Sequence, residues 1–585
     1  MITLKLVQKW MKENNKDIFL INRTDEFLSE YIAAYAERLK WITNFSGSAG
    51  RAIIEQKKAY IFIDGRYTDQ ANEEVDLNFF EIKHFQDYWT HLQQYIDGKK
   101  IVVLDPLLHS IKEIEKTQKY FINSKVQLNF LEKNPIDIYW EDQPSRPQSK
   151  VFLHDEKFTG ENICSKIDTI QGSLQLESLD FYLLSSLDSI AWLLNLRGND
   201  IKHTPLFCCY VIIPQQGKIE LFIEENKIQH IFKDLTRFVN FHSLKNINIY
   251  LSSIDIKKNI GMDEGSTSFH FKNIFTKKNL ITHHLENPCL YPKAIKNNVE
   301  LEGARRANMR DGVSVTKFLY WLKKIMIVEK TNEILAADYL LSLRKNNDLF
   351  YSLSFDTISA LGPHAALPHY RVSDNSNSFF KKNSIYLVDS GAQYKDGTTD
   401  ITRTIIIGEP TDEQKDRFTR VLKGHIAIAK SIFPVHTKGS FLDPRARKSL
   451  NDINCDYDHG TGHGIGSFLS VHEGPQRIAK FKDQCEGFIK KGMIISNEPG
   501  YYKKGEYGIR IENLIVCLSE KNNSLFFETI SWAPIDIDLI NIDIMNDDEV
   551  KWINNYHRKV YKKISPNLSS DERQWLKGVT SPMLK

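Results

Sequence analysis

The chain has 585 residues, 41% of them hydrophobic and 26% charged, an ordinary globular usage that excludes a disordered, collagen-like or coiled-coil protein. Its 77 Lys and Arg stand against 74 Asp and Glu, and the formal charge of +3 is spread thinly along the chain, so no nucleic acid and no anionic membrane surface is required as a partner. At this length about three to five domains are expected, because a single core stops growing near roughly 250 to 300 residues.

The chain opens Met1-Ile2-Thr3-Leu4-Lys5 and meets Lys9, Lys12 and Glu13 before any long apolar stretch, so no secretory signal is read. Apolar runs such as Tyr210 to Pro214 fall far short of the roughly 18 residues of a membrane span. The seven cysteines, Cys164, Cys208, Cys209, Cys289, Cys455, Cys485 and Cys517, contain no C-x-x-C pair and are read as free thiols in a reducing compartment. A soluble, cytoplasmic protein is expected.

An internal duplication is visible first. Trp41-Ile42-Thr43-Asn44-Phe45-Ser46-Gly47 resembles Trp192-Leu193-Leu194-Asn195-Leu196-Arg197-Gly198, an offset of 151 residues. Each is followed by a strand-turn-strand pattern: Ala52 to Ile54 and Ala59 to Ile63 in the first copy, Tyr210 to Ile213 and Ile219 to Ile223 in the second. Two β-hairpins in two related α/β units are expected, with a boundary near residue 150, in Gln143-Pro144-Ser145-Arg146-Pro147.

From about Lys296 the pattern changes. Leu301, Ala304, Val315, Phe318, Leu319, Leu322 and Ile325 recur at helical spacing. Thr411-Asp412-Glu413-Gln414 is a capping box leading into Phe418, Val421, Leu422 and Ile426, a helix that Pro434 is expected to end. Strands are expected over 385–388, 401–407, 493–496 and 508–517, as a mainly antiparallel sheet covered by helices. The last 60 or so residues carry an amphipathic helix through Val550, Ile553, Tyr556, Val560 and Ile564, then a capping box at Ser569-Ser570-Asp571-Glu572.

The third region places acids inside short apolar strands, a conflict between local rule and residue type that marks a functional site. Asp389 ends the run Ile385 to Val388 and Asp400 begins the run Ile401 to Ile405, so the two carboxylates, 11 residues apart, face each other if this is a hairpin. Glu498 follows Met493 to Asn497, and Glu512 lies in an apolar strand with Arg510 two residues before it. His459 and His463 lie in the glycine-rich stretch His459 to Gly466, where a helix is disfavoured.

Other motifs fail on spacing. Gly460 to Ser467 is not G-x-G-x-x-G, His472-Glu473-Gly474-Pro475 is not H-E-x-x-H, and Gly47-Ser48-Ala49-Gly50 is not G-x-S-x-G. What remains is four carboxylates and at least one histidine converging from separate strands. That set suits two divalent cations, because uncompensated anions would repel one another, and such a pair would hold a water of lowered pKa between them.

The segments V-D-S-G-A-Q-Y-K-D-G-T-T-D-I-T-R-T, H-G-T-G-H-G-I-G-S-F-L-S-V-H-E-G-P and N-E-P-G-Y-Y with G-I-R-I-E-N resemble the aminopeptidase P (X-prolyl aminopeptidase) family in order and spacing, over almost the whole chain. The resemblance implies an α/β (α+β) protein: two related creatinase-like α/β domains over 1–150 and 151–295, a pita-bread catalytic domain over 296–525, and a C-terminal extension over 526–585 packed on it. It implies two divalent metal ions, manganese first, with zinc or cobalt as alternatives. A water held between the ions would attack the X-Pro bond and release the residue before proline from small proline-containing peptides.

By matching positions, the resemblance gives Asp389 to one metal, His463 and Glu498 to the other, and Asp400 and Glu512 as bridges, with Glu498 also orienting the water. His472 would stabilise the tetrahedral intermediate, His369 would bind substrate or relay a proton, and His459 and Arg510 would border the proline pocket. A homodimer is implied. Where family members commonly have G-P-N, this chain has Gly362-Pro363-His364, and His364 is read as a loop residue that leaves catalysis intact, alters substrate preference or binds a metal. The alternatives are a prolidase-type X-Pro dipeptidase and a metal-free pita-bread scaffold that binds peptides.

Overall fold

The computed structural model describes residues 1–324, 331–485, 487–519 and 523–585; Ile325 lies outside them. The chain divides into two compact units, residues 1–154 with 161–289, and residues 155–160 with 290–585.

In the first unit, strands Ile18–Asn22, Gly50–Glu55, Ala59–Ile63, Glu81–His84, Ile101–Leu104 and Gln127–Phe130 form one six-stranded sheet. A second sheet contains Phe181–Leu184, Tyr210–Pro214, Ile219–Ile223, Val239–Ser243, Asn259–Met262 and Ile281–His284. Counted along the chain, both sheets run in the order 4-3-2-1-5-6, so the sequence repeat is a repeat of topology. Both expected hairpins are present, with Ile53 opposite Tyr60 and Val211 opposite Leu221. The shared asparagine has a local cause. Asn44 and Asn195 take positive φ of 65° and 47° just past helices Arg38–Thr43 and Leu187–Leu193, a conformation that asparagine tolerates better than branched residues.

The long helix of the second unit, α1 (Asn298–Lys324), buries Leu301, Ala304, Val315, Phe318, Leu319 and Leu322, and is followed by α2 (Glu333–Lys345). Strands β1 (Ile358–Leu361), β2 (Ser384–Ser390) and β3 (Ile401–Ile407) make an antiparallel sheet in that order. Helix α3 (Asp412–Ala429) starts at the capping box of Thr411 and Gln414. It ends five residues before Pro434, because 432–434 are drawn into an edge strand, β4 (Ile432–Pro434). Helix α4 (Asp443–Asn451) follows.

The larger sheet adds β5 (Gly462–Gly464), β6 (Glu473–Ile478), β7 (Ile494–Asn497), β10 (Asn513–Ser519) and β11 (Ser524–Thr529), in the order β4-β11-β10-β7-β5-β6, while β8 (Gly500–Lys503) pairs with β9 (Tyr507–Arg510). The single strand expected over 508–517 is therefore two. Ile511 and Glu512 leave the ladder, their amides donating to Pro499 O at 3.4 Å and Thr402 O at 3.2 Å. This break turns Glu512 out of ordinary strand alternation. β5 and β7 lie so close that a Cβ on Gly462 would stand 2.0 Å from Ser496 O, which only glycine permits.

The C-terminal residues form α5 (Asp547–Ile564) and α6 (Ser570–Val579), both opened by capping boxes, from Asn546 with Glu549 and from Ser569 with Glu572. Val550, Ile553, Tyr556, Val560 and Ile564 of α5 share one core with Phe418, Val421 and Leu422 of α3 and with Ile385 and Ile406. Each such large apolar side chain taken from water contributes roughly 1.5 to 3 kcal/mol, which fixes the C-terminal segment to this unit. Among the described residues no helix is long and apolar enough to cross a membrane.

Candidate metal centre

Antiparallel pairing brings the acids together. Asp389 stands opposite Thr402 across β2 and β3, which puts Asp400 at the same end of the hairpin. β5 delivers His463, the end of β7 delivers Glu498, and the break between β9 and β10 delivers Glu512. One ligand atom each from Asp400, His463 and Glu512 lies within 4.8 Å of the others. His463 Nε2 is 3.3 Å from Glu498 Oε1 and 3.6 Å from Asp400 Oδ2. The imidazole is turned this way by its other edge, since Nδ1 lies 3.1 Å from Gly464 O and the His463 amide donates to Ser496 Oγ at 2.9 Å.

The donor set fits divalent cations on the structure's own terms. Among the described residues, Asp389 Oδ1 and Asp400 Oδ1 are buried without a hydrogen-bond partner, and buried carboxylate oxygens without a partner are costly. Burial, followed by Glu512 and Asp389, pushes the Asp400 carboxyl well above the usual range; burial, followed by Asp389 and Glu498, does the same to Glu512. Burial raises Glu498 to about 6 against the pull of Arg510. Four carboxylates share the guanidinium of Arg510, which donates to Asp389 Oδ2 at 2.6 Å. One cation cannot balance four anions, whereas two divalent ions can.

Of the remaining sequence-predicted residues, His472, His459 and Arg510 border this cluster. The His472 ring meets the His463 ring edge to face, with centroids 4.3 Å apart. His459 Nε2 is 2.8 Å from Tyr502 Oη, which also accepts from Arg510 Nη1 at 2.7 Å. His369 is half-buried beside Pro368, whose carbonyl accepts from Arg510 Nη2 at 3.3 Å. His364 is drawn into the scaffold. Its Nδ1 is 2.8 Å from Glu333 Oε1, and its ring stacks on Tyr370 at 4.4 Å.

Three residues escaped the sequence reading. Thr402 donates to Glu512 Oε2 at 2.7 Å and accepts from Arg510 Nε at 3.3 Å; its signal is its place two residues after Asp400, on the same strand face. Ser496 donates to Glu498 Oε1 at 3.0 Å, and it too stands two residues from an acid, here before it. Tyr502 had no signal beyond its place four residues after Glu498.

Residues 302–518 match the model of metallopeptidase family M24, the class that this fold and carboxylate cluster define. Residues 4–129 and 142–300 match models of the creatinase/prolidase N-terminal domain, and 523–583 the C-terminal region of peptidase M24. A probable Xaa-Pro aminopeptidase P of Coprinopsis cinerea is 37% identical over 612 residues, covering 99% of this chain and 98% of its own. One of Paracoccidioides brasiliensis is 38% identical over 613 residues, with the same coverage. The crystal structure of X-prolyl aminopeptidase from Caenorhabditis elegans, described as a cytosolic enzyme with a di-nuclear active site, superimposes with a TM-score of 0.92 at 31% identity, over 97% of this chain and 95% of that one. The chain belongs to the Xaa-Pro aminopeptidase P family of M24 metallopeptidases.

Proposed function

We propose that this protein is an aminopeptidase that releases the N-terminal residue from small peptides with proline in second place. The observation that carries this reading is the convergence of Asp389, Asp400, His463, Glu498 and Glu512 on one buried cluster, with two buried carboxylate oxygens that have no hydrogen-bond partner among the described residues. The full-length relatives named Xaa-Pro aminopeptidase P support the substrate class.

Asp389 would hold one cation, His463 and Glu498 the other, and Asp400 and Glu512 would reach both. When bound, the cations supply Lewis acidity and make a water acidic near neutral pH. Manganese is the metal of this reading, because an oxygen-rich donor set with one imidazole suits it. Glu498, held by Ser496 at 3.0 Å, orients the attacking water. His472 donates to the carbonyl oxygen as negative charge builds there. His369 relays the proton that the leaving proline nitrogen needs. His459 and Arg510, joined through Tyr502, close the proline pocket. Residues 1–150 and 151–295 serve as accessory domains to a catalytic domain over 296–525, and the enzyme works as a cytoplasmic homodimer.

Mass spectrometry of products from a peptide panel tests the reading. A single N-terminal residue released from tri- and pentapeptides with proline second is expected; cleavage of the dipeptide Gly-Pro alone would assign a dipeptidase instead.

A further inference from the structure

Along β3, Thr402 and Thr404 bond towards Glu512 and Arg510, while the intervening Arg403 turns the other way, as strand alternation requires. Arg403 is 1% exposed, and all its acceptors are uncharged. Nε donates to Pro534 O at 3.0 Å, Nη1 to Thr402 O and Glu512 O at 2.8 and 2.7 Å, and Nη2 to Asn513 Oδ1, Ala533 O and Tyr556 Oη at 2.9, 2.9 and 2.8 Å. A buried guanidinium hydrogen-bonded to no acid among the described residues is expensive, so its value lies in what it joins. Two of these acceptors belong to the backbone that carries Asp400 and Glu512. Three belong to the C-terminal segment.

The connection continues beneath the cluster. Asn513 Nδ2 lies 3.1 Å from His425 Nε2, and His425 Nδ1 lies 3.0 Å from Asn497 O, the residue before Glu498. These partners assign the His425 proton to Nδ1. The strand ends that deliver Asp400, Glu512 and Glu498 are thus tied to a single buried arginine, which is itself held by Tyr556 of α5.

We infer that Arg403 and Tyr556 are positioning residues for the metal centre: the arginine clamps β3 and the break at 511–512 to 533–534 and α5, and sets a fixed positive charge behind the carboxylates. The C-terminal segment is then a part of the metal site and not only a cover for the core. This rests on the metal-centre reading given above, and it predicts effects on metal affinity by residues that touch no metal, as supporting partners of ligands do.

The test uses full-length wild type, Tyr556→Phe, Arg403→Lys and Arg403→Met, reading manganese affinity by competition with a chelating dye, thermal midpoints of the metal-free and loaded forms, and kcat and KM on an Xaa-Pro tripeptide. Manganese binding is expected to weaken about 3- to 10-fold in Tyr556→Phe and about 10- to 100-fold in Arg403→Met, with Arg403→Lys between. The midpoint shift on adding manganese should shrink, and kcat should fall with little change in KM. Lowered midpoints in both forms, with wild-type manganese affinity and kcat, would overturn the inference. If Arg403→Met does not fold, Tyr556→Phe, which loses one hydroxyl, decides alone. Wild-type protein that holds no stoichiometric manganese would instead overturn the metal-centre reading, and this inference with it.

Discussion

Arg510 Nη2 donates to Asp389 Oδ2 at 2.6 Å, and the other oxygen of that carboxylate, Oδ1, has no hydrogen-bond partner among the described residues. One oxygen is thus tied to a cation and aimed, while its twin is left as a donor. The same guanidinium reaches Tyr502 Oη and Pro368 O, so it joins the proposed metal ligand to the proposed proline pocket.

Replacing Arg510 should therefore damage catalysis more than folding. A hydrogen bond to a charged group contributes about 1.5 to 3 kcal/mol, and kcat/KM of Arg510→Gln on an Xaa-Pro tripeptide is expected to fall about 10- to 100-fold. Arg510→Lys should also be impaired, because an ammonium with its donors on one atom cannot reproduce the planar fork that reaches Asp389, Tyr502, Pro368 and Thr402. A wild-type kcat/KM for Arg510→Lys would contradict this role.

Stability should fall on acidification through two buried imidazoles outside the ligand set. Burial holds His425 and His557 down to about 3, against about 6.5 in an unfolded chain. Between these values the unfolded state binds protons that the folded state refuses. The stability is complete above about pH 7 and is lost as the pH falls through 6.5, with about 2 kcal/mol per histidine gone by pH 5. Denaturant midpoints of the chelator-treated protein at pH 7 and pH 5 measure this. His557→Gln, which stays neutral, should flatten the dependence, and an unchanged slope would refute the assignment.

Glu333 holds the segment that leads to His369. It is 0% exposed, and its carboxylate oxygens accept from the Leu361 amide at 2.7 Å and the Ser378 amide at 2.9 Å, with His364 Nδ1 and Tyr370 Oη at 2.8 and 3.1 Å. Glu333→Ala would strand several buried donors, and a loss of about 3 kcal/mol or more is expected. His364→Asn should keep kcat within about twofold, with a small drop in thermal midpoint, because its partner keeps the other donors. A large loss of kcat in His364→Asn with the midpoint preserved would place His364 in the catalytic set.

Much of this architecture is legible in the chain because the signals are local. The repeat at Trp41 and Trp192 reflects one asparagine conformation and one hairpin, each set by neighbouring residues. The clustered acids stand out because they interrupt apolar strands. Hidden from the sequence are features created by pairing. The break at Ile511 and Glu512 depends on Thr402 O, more than a hundred residues earlier, so alternation alone misreads 508–517 as one strand. Tyr502 and Thr402 are ordinary residues until Arg510 lies between them. Helix α3 stops short of Pro434 because β11 takes up 432–434 as an edge strand. His364, unplaced in the sequence, finds Glu333 only once α2 packs beside β1.

The central claim is that the four acids and His463 share two divalent cations that the chemistry requires. Metal content and peptide products measured on the same samples of wild type and Asp400→Asn test it most directly. Two ions per wild-type chain and release of one residue from an Xaa-Pro pentapeptide are expected, with at least one ion lost and the rate down about 1000-fold or more in Asp400→Asn. Two ions retained and a wild-type rate in Asp400→Asn would contradict it.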